Sequence, residues 1–95
     1  MEVLNVTYKC KPGMRQTFLE AIAAEKIDLA CRAEEGNLEY AYFLPVDSED
    51  ELLLVEKWRD ADCLAAHGQQ PHYLRLGELK GIYVDETILG KYHID

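Results

Sequence analysis

Ninety-five residues make one domain, spanning 1–95, and ten Lys and Arg against eighteen Asp and Glu leave a net charge of −8 at pH 7. An acidic chain without a basic stripe argues against nucleic acid and anionic membrane as partners, and no apolar run approaches bilayer length. Cys10, Cys31 and Cys63 are odd in number, lack CxxC spacing, and follow a start (Met1-Glu2-Val3-Leu4-Asn5) with no signal-peptide pattern, so reduced thiols and a cytoplasmic location are expected.

Val3 to Cys10 reads as a strand with Leu4, Val6, Tyr8 and Cys10 on one face and Val3, Asn5 and Thr7 on the other. Pro12-Gly13 ends it. Met14 to about Glu34 is predicted as one helix, with Phe18, Ala21, Ile22, Glu25 and Leu29 at i, i+3/i+4 spacing and a polar interruption at Glu25. Gly36 follows where a left-handed cap suits glycine. Asn37 to Val46 alternates as a second strand, with Leu38, Tyr40, Tyr42 and Leu44 on one side. The run Asp47 to Glu51 reads as a solvated hairpin tip rather than a metal site.

Leu52 to Trp58 is a third strand, apolar on both faces as far as Val55. Asp60 is placed to cap a short helix ending near His67. A second short helix is predicted from Pro71 to Lys80 and a last strand from Ile82 to Leu89, with Gly90 to Asp95 as a tail. The order β-α-β-β-α-β is that of an α+β, ferredoxin-like split βαβ fold: an antiparallel sheet with helices on one face. A chain of this size buries only roughly 60–65% of its unfolded surface. The doubly apolar third strand therefore predicts a homodimer, with two helix-free sheet faces covering each other.

Four strings in this order resemble the antibiotic biosynthesis monooxygenase family of dimeric α+β barrels. They are Lys11-Pro12-Gly13, Arg32 to Tyr40, Glu56-Lys57-Trp58 and Ala66 to Tyr73. The resemblance implies a dimer with a small-molecule pocket between each sheet and its own helices. The haem-degrading branch wants an asparagine, a tryptophan and a histidine where Val6, His67 and Gly77 stand, so haem chemistry is not expected. The quinol monooxygenase and autoinducer-2 phosphate isomerase branches match about equally well.

With that pocket, Val6, Tyr8, Tyr40, Tyr42 and Tyr73 are the expected substrate contacts, an aromatic lining suited to a flat, poorly polar molecule. At any single position plain core is the stronger reading, because a strand aromatic facing a helix is usually core. His67 and His72 are the candidate catalytic bases, because imidazole takes and returns protons near neutrality. His67 could instead bond helix-terminal carbonyls, and His72 could simply be a surface residue. Glu56 is expected in an ion pair with Arg32, Arg59 or Arg75, Trp58 as a core or interface anchor, and His93 in an unstructured tail or a dimer contact. No GxGxxG, P-loop or carboxylate–histidine metal spacing is present, so no cofactor and no metal are expected.

Three functions follow. One is a cofactor-independent monooxygenase acting on a small aromatic or quinol substrate. The others are an isomerase of a phosphorylated, autoinducer-like ketone and a non-catalytic small-ligand-binding dimer.

Overall fold

The computed structural model describes residues 1–95. Side chains that alternate in and out select one sheet face for the core. In β1 (Glu2–Cys10), Leu4, Val6, Tyr8 and Cys10 are buried on the same side. β1 pairs antiparallel with β3 (Glu51–Trp58) and with β4 (Val84–His93), and β2 (Asn37–Phe43) pairs with β3. The strand order is β2-β3-β1-β4, the expected α+β, ferredoxin-like topology. The register sets Leu54 opposite Val6, Leu52 opposite Tyr8, and Glu56 opposite Leu4. These residues form the floor on which the helices pack.

The predicted first helix is two helices, α1 (Arg15–Ala24) and α2 (Ile27–Arg32). Lys26 breaks them apart in the left-handed region at φ 56°. The reason lies in the spacing of the apolar residues. Ile22 and Ile27 are five apart and would not share a face on one continuous helix. The break resets the phase, so Phe18, Ile22, Ile27 and Cys31 all reach the core. Leu29, expected inside, is 55% exposed.

α3 (Ala61–His67) begins as expected, with Asp60 Oδ1 accepting a hydrogen bond from the Cys63 N–H at 2.8 Å. α4 (Pro71–Tyr83) runs past the predicted stop: neither Gly77 nor Gly81 ends it, and Ile82 is helical. β4 in turn extends through the predicted tail. His93 is opposite Glu2, and its Nδ1 lies 3.0 Å from Glu2 Oε1. β2 ends at Phe43, earlier than predicted. A register shift between Asn37 and Glu39 leaves Leu38 exposed, and Leu44 lies exposed beyond the strand.

The acidic hairpin tip is tied to the turn before α1 and to its first residue. Arg15 donates to the carbonyls of Ser48 and Glu51, and Asp50 Oδ1 accepts from Gly13 N–H at 3.0 Å.

Gly36 sits at φ +80°, and a Cβ there would meet the Cys63 side chain, with its Cβ only 2.7 Å away. Gly36→Ala is therefore expected to lose about 1–3 kcal/mol of stability, read by urea denaturation.

The helix-free face carries apolar residues in register. One row across the sheet runs Phe43, Leu53, Thr7, Ile88, and Tyr92 lies opposite Val3. Phe43, Ile88 and Tyr92 are each about half exposed (48%, 47% and 55%), while Leu53 and Val55 are half-buried. No helix is long and apolar enough to cross a membrane.

Candidate active site

Between the sheet and the helices lie two adjoining cavities of about 320 Å³ and about 150 Å³. They share Tyr8, Glu56, His67, Tyr73 and Lys80 as walls. Val6 and Leu89 add apolar floor to the larger one, and Tyr40 lines the smaller. Tyr42 lines neither cavity; its hydroxyl is 3.3 Å from that of Tyr40. On the outer side of α3 an open groove of about 630 Å³ is lined by Glu34, His72, Cys63 and the acidic residues Glu35, Asp60 and Asp62.

His67 separates these two spaces. It ends α3, and its side chain turns inward rather than to the helix carbonyls. Its ring lies 4.6 Å from that of Trp58 and edge-on to Tyr73 at 5.1 Å. Nδ1 is 2.6 Å from Glu34 Oε2, and Nε2 is 3.6 Å from Glu56 Oε1. His72, at the start of α4, brings its Nε2 to 2.8 Å from the same Glu34 oxygen. A carboxylate only accepts, so both imidazoles donate to it. Glu34 thus bridges the two histidines, five residues apart, that share no helix.

Glu56 corrects the expected arginine pair. Trp58 Nε1–H donates to Glu56 Oε1 at 3.1 Å, and His67 is the neighbouring base. Burial pushes the Glu56 carboxyl above the usual carboxylate range, against the pull of that N–H and of His67. The three arginines are engaged elsewhere. Arg32 bonds Asp28 and the Tyr40 carbonyl, Arg59 meets Glu35 and Asp60, and Arg75 forks onto Glu25. Trp58 is fully buried on the helix side, a core anchor rather than an interface residue.

Glu34 was not marked by the sequence reading, and neither was Lys80. Lys80 Nζ stands 5.4 Å from the centre of the Tyr8 ring, and its charge acts on Glu56 across the cavity without direct ion-pair contact. It is the one cation on the inner cavity walls besides the titratable His67.

Burial raises the pKa of Tyr8, Tyr40 and Tyr42 well above that of free tyrosine. A raised folded-state value means that unfolding lets these phenols ionise first. Their contribution to stability is whole below pH ~10 and is lost as pH rises above it. Alkaline titration by ultraviolet absorbance should therefore show these three tyrosines ionising only together with loss of the fold.

Comparison with known proteins then places the chain. The family model for "Antibiotic biosynthesis monooxygenase" matches residues 1–78. The chain belongs to the antibiotic biosynthesis monooxygenase family. A relative in Bacillus subtilis (strain 168), described as "Putative monooxygenase YcnE", is 36% identical over 73 residues, covering 77% of this chain and 75% of that protein. Among solved structures, PA3566 from Pseudomonas aeruginosa superposes with a TM-score of 0.86 at 22% identity, covering 98% of this chain and 92% of that one. Rv0793 from Mycobacterium tuberculosis gives 0.84 at 23% identity, over 98% and 93%. The structures share the fold. Family membership and the B. subtilis relative support a monooxygenase-like function.

Proposed function

We propose that this family member is a cofactor-independent monooxygenase acting on a small aromatic or quinol substrate. The observation that carries the reading is His67, set in the wall of an aromatic cavity between two carboxylates. With Nδ1–H donated to Glu34, the ring lone pair is on Nε2, on the cavity side beside Glu56. A guest hydroxyl can release its proton there, and the imidazolium so formed is held between Glu34 and Glu56. His72, on the far side of Glu34, links that carboxylate to the outer groove, and it takes a proton from Glu34 at Nε2 once its own ring hydrogen is on Nδ1. Lys80 favours the anion left behind.

That anion is electron-rich enough to react with dioxygen directly. A ring C–H of the quinol becomes C–OH while its two hydroxyls become the carbonyls of the hydroxyquinone; one oxygen atom of dioxygen enters as the new hydroxyl, and the other leaves as water with the two hydroxyl hydrogens. The protein orients the ring between Tyr8 and Tyr73 and keeps it dry. The larger cavity is of a size to take a one- or two-ring molecule.

The isomerase alternative needs a cation for a phosphate. No arginine lines the inner cavity, and Lys80 alone would have to serve. The ligand-binding alternative leaves the bridged histidines without a task. A panel of menadiol-like quinols and phosphorylated ketones, assayed with and without oxygen, separates the three. The proposal expects oxygen uptake above the spontaneous quinol rate. Isomer interconversion by NMR without uptake supports the isomerase, and thermal stabilisation with unchanged ligand supports a binding protein.

The homodimer belongs to this proposal as the cover for the Phe43, Leu53, Ile88 and Tyr92 face. Leu53→Asp combined with Ile88→Asp is expected to convert a dimer to a monomer in sedimentation velocity, because two charges would be buried in an apolar contact. A wild-type monomer at micromolar concentration would refute the dimer.

A further inference from the structure

The bridged histidines have a fourth neighbour that the proton path does not use. Cys31, on α2, is fully buried, and its sulfur lies with a Glu34 oxygen, a His67 ring nitrogen and a His72 ring nitrogen so that all four atoms are within 4.8 Å of one another. We propose that Cys31, Glu34, His67 and His72 form a binding site for a zinc-class divalent cation, and that its occupancy switches off proton acceptance in the inner cavity.

The donor set fits the cation. One thiolate, two imidazoles and one carboxylate make a four-ligand N/S/O set of the kind that holds zinc tetrahedrally, at metal–ligand distances of about 2.0–2.3 Å. Two anionic ligands neutralise a divalent ion, so the filled site carries no net charge into the protein interior. Tetrahedral ligands at those distances stand about 3.3 Å apart, so the Glu34–histidine contacts of 2.6 and 2.8 Å would open by about 0.5–0.7 Å for a metal to enter between them.

The surroundings fit as well. Beyond His67, Glu56 stands 3.6 Å from Nε2 and is itself fixed by the Trp58 N–H. A carboxylate behind a metal-bound imidazole fixes its tautomer and orientation. An entry path exists, because Glu34 and His72 open onto the acidic outer groove, which favours approach of a cation. The cluster draws one ligand from α2, one from the turn after it, one from the end of α3 and one from the start of α4. For that reason no ligand spacing is visible in the sequence.

The regulatory consequence rests on the function proposed above. A metal on His67 Nδ1 takes the place of the hydrogen that Glu34 now accepts. The neutral ring must then carry its hydrogen on Nε2, donated to Glu56, and no lone pair faces the guest. Metal and substrate proton compete for one imidazole from opposite sides.

The test is a titration of the reduced, chelator-treated protein with zinc, followed by competition against a chromogenic chelator, and a parallel titration with cobalt(II). One equivalent of zinc should bind. Cobalt should give a thiolate-to-metal charge-transfer band with the visible bands of a tetrahedral site. Cys31→Ser should abolish the charge-transfer band, His72→Gln should weaken zinc at least about 100-fold, and Glu56→Gln should weaken it about 10–100-fold.

No zinc binding, or equal affinity in wild type, Cys31→Ser and His72→Gln, overturns the site. Circular dichroism confirms that each variant is folded, so a lost ligand is told apart from a lost structure. If zinc binds as described and quinol-dependent oxygen uptake persists at saturation, the regulatory half is overturned. If no substrate is ever turned over, the proposed function fails, and the metal titration still decides the site.

Discussion

His67→Gln is expected to lower quinol-dependent oxygen uptake by about 10²–10⁴-fold while the chain still folds. The glutamine amide can donate to Glu34 but offers no basic lone pair to the cavity, so the proton has no acceptor beside Glu56. The stability loss should be only about 1–3 kcal/mol, the range for disturbing one partner of a buried hydrogen bond. The contrast between the two readouts is informative. A purely structural His67 would lose stability and activity together, whereas a base loses turnover with modest change in melting. Oxygen-electrode rates and thermal denaturation on the same preparation make the comparison. His72→Gln should fall between wild type and His67→Gln, because it removes the outer end of the path and leaves the inner acceptor intact.

Trp58→Ala should be the most destabilising single substitution considered, by about 3–5 kcal/mol. The side chain is fully buried between the sheet and α3, stacks near His67, and holds Glu56 by its N–H. Its removal leaves a large void and an unpaired buried carboxyl at once. For a domain of this size the melting temperature should fall on the order of 20 °C. Trp58→Phe separates the two effects. It keeps most of the volume, so much of the stability should return, but the freed Glu56 no longer holds a fixed position against His67. Restored melting with impaired turnover is the expected pattern for Trp58→Phe, and restored turnover would show that the N–H bond is dispensable.

The sheet was legible because its signals are local. The two-residue alternation in Leu4, Val6, Tyr8 and Cys10 names the core face of β1, and the burial follows it. The helix break at Lys26 was half visible: Glu25 interrupts the apolar stripe, but periodicity alone does not say that the phase resets so that Ile27 and Cys31 turn inward. The extension of β4 through His93 was hidden by Gly90, which reads as a breaker and here lies inside a strand opposite Asn5.

The site was legible in its parts and not in its connection. His67 and His72 stand out as titratable groups, yet their meeting point is Glu34, which lies 33 residues before His67 in the chain. A carboxylate just past the end of α2, where the helix dipole disfavours it, was the one local sign that it had another partner. Lys80 could have been found from spacing, since it is seven residues after Tyr73 on α4 and shares the face that Tyr73 presents to the cavity. The apolar neighbours of Glu56 in the sequence do signal a buried carboxyl in need of a partner. The arginines were the wrong choice because each has a nearer carboxylate outside the cavity.

On the proposed function the guest reacts with dioxygen without an external reductant. The most direct measurement is turnover of a quinol by chelator-treated protein under isotopically heavy dioxygen, with product and water analysed by mass spectrometry. One dioxygen should be consumed per quinol, with one heavy oxygen atom in the hydroxyquinone, the other in water, and no need for any added electron donor. An unlabelled quinone accompanied by hydrogen peroxide, or turnover only when a reductant is supplied, would contradict it.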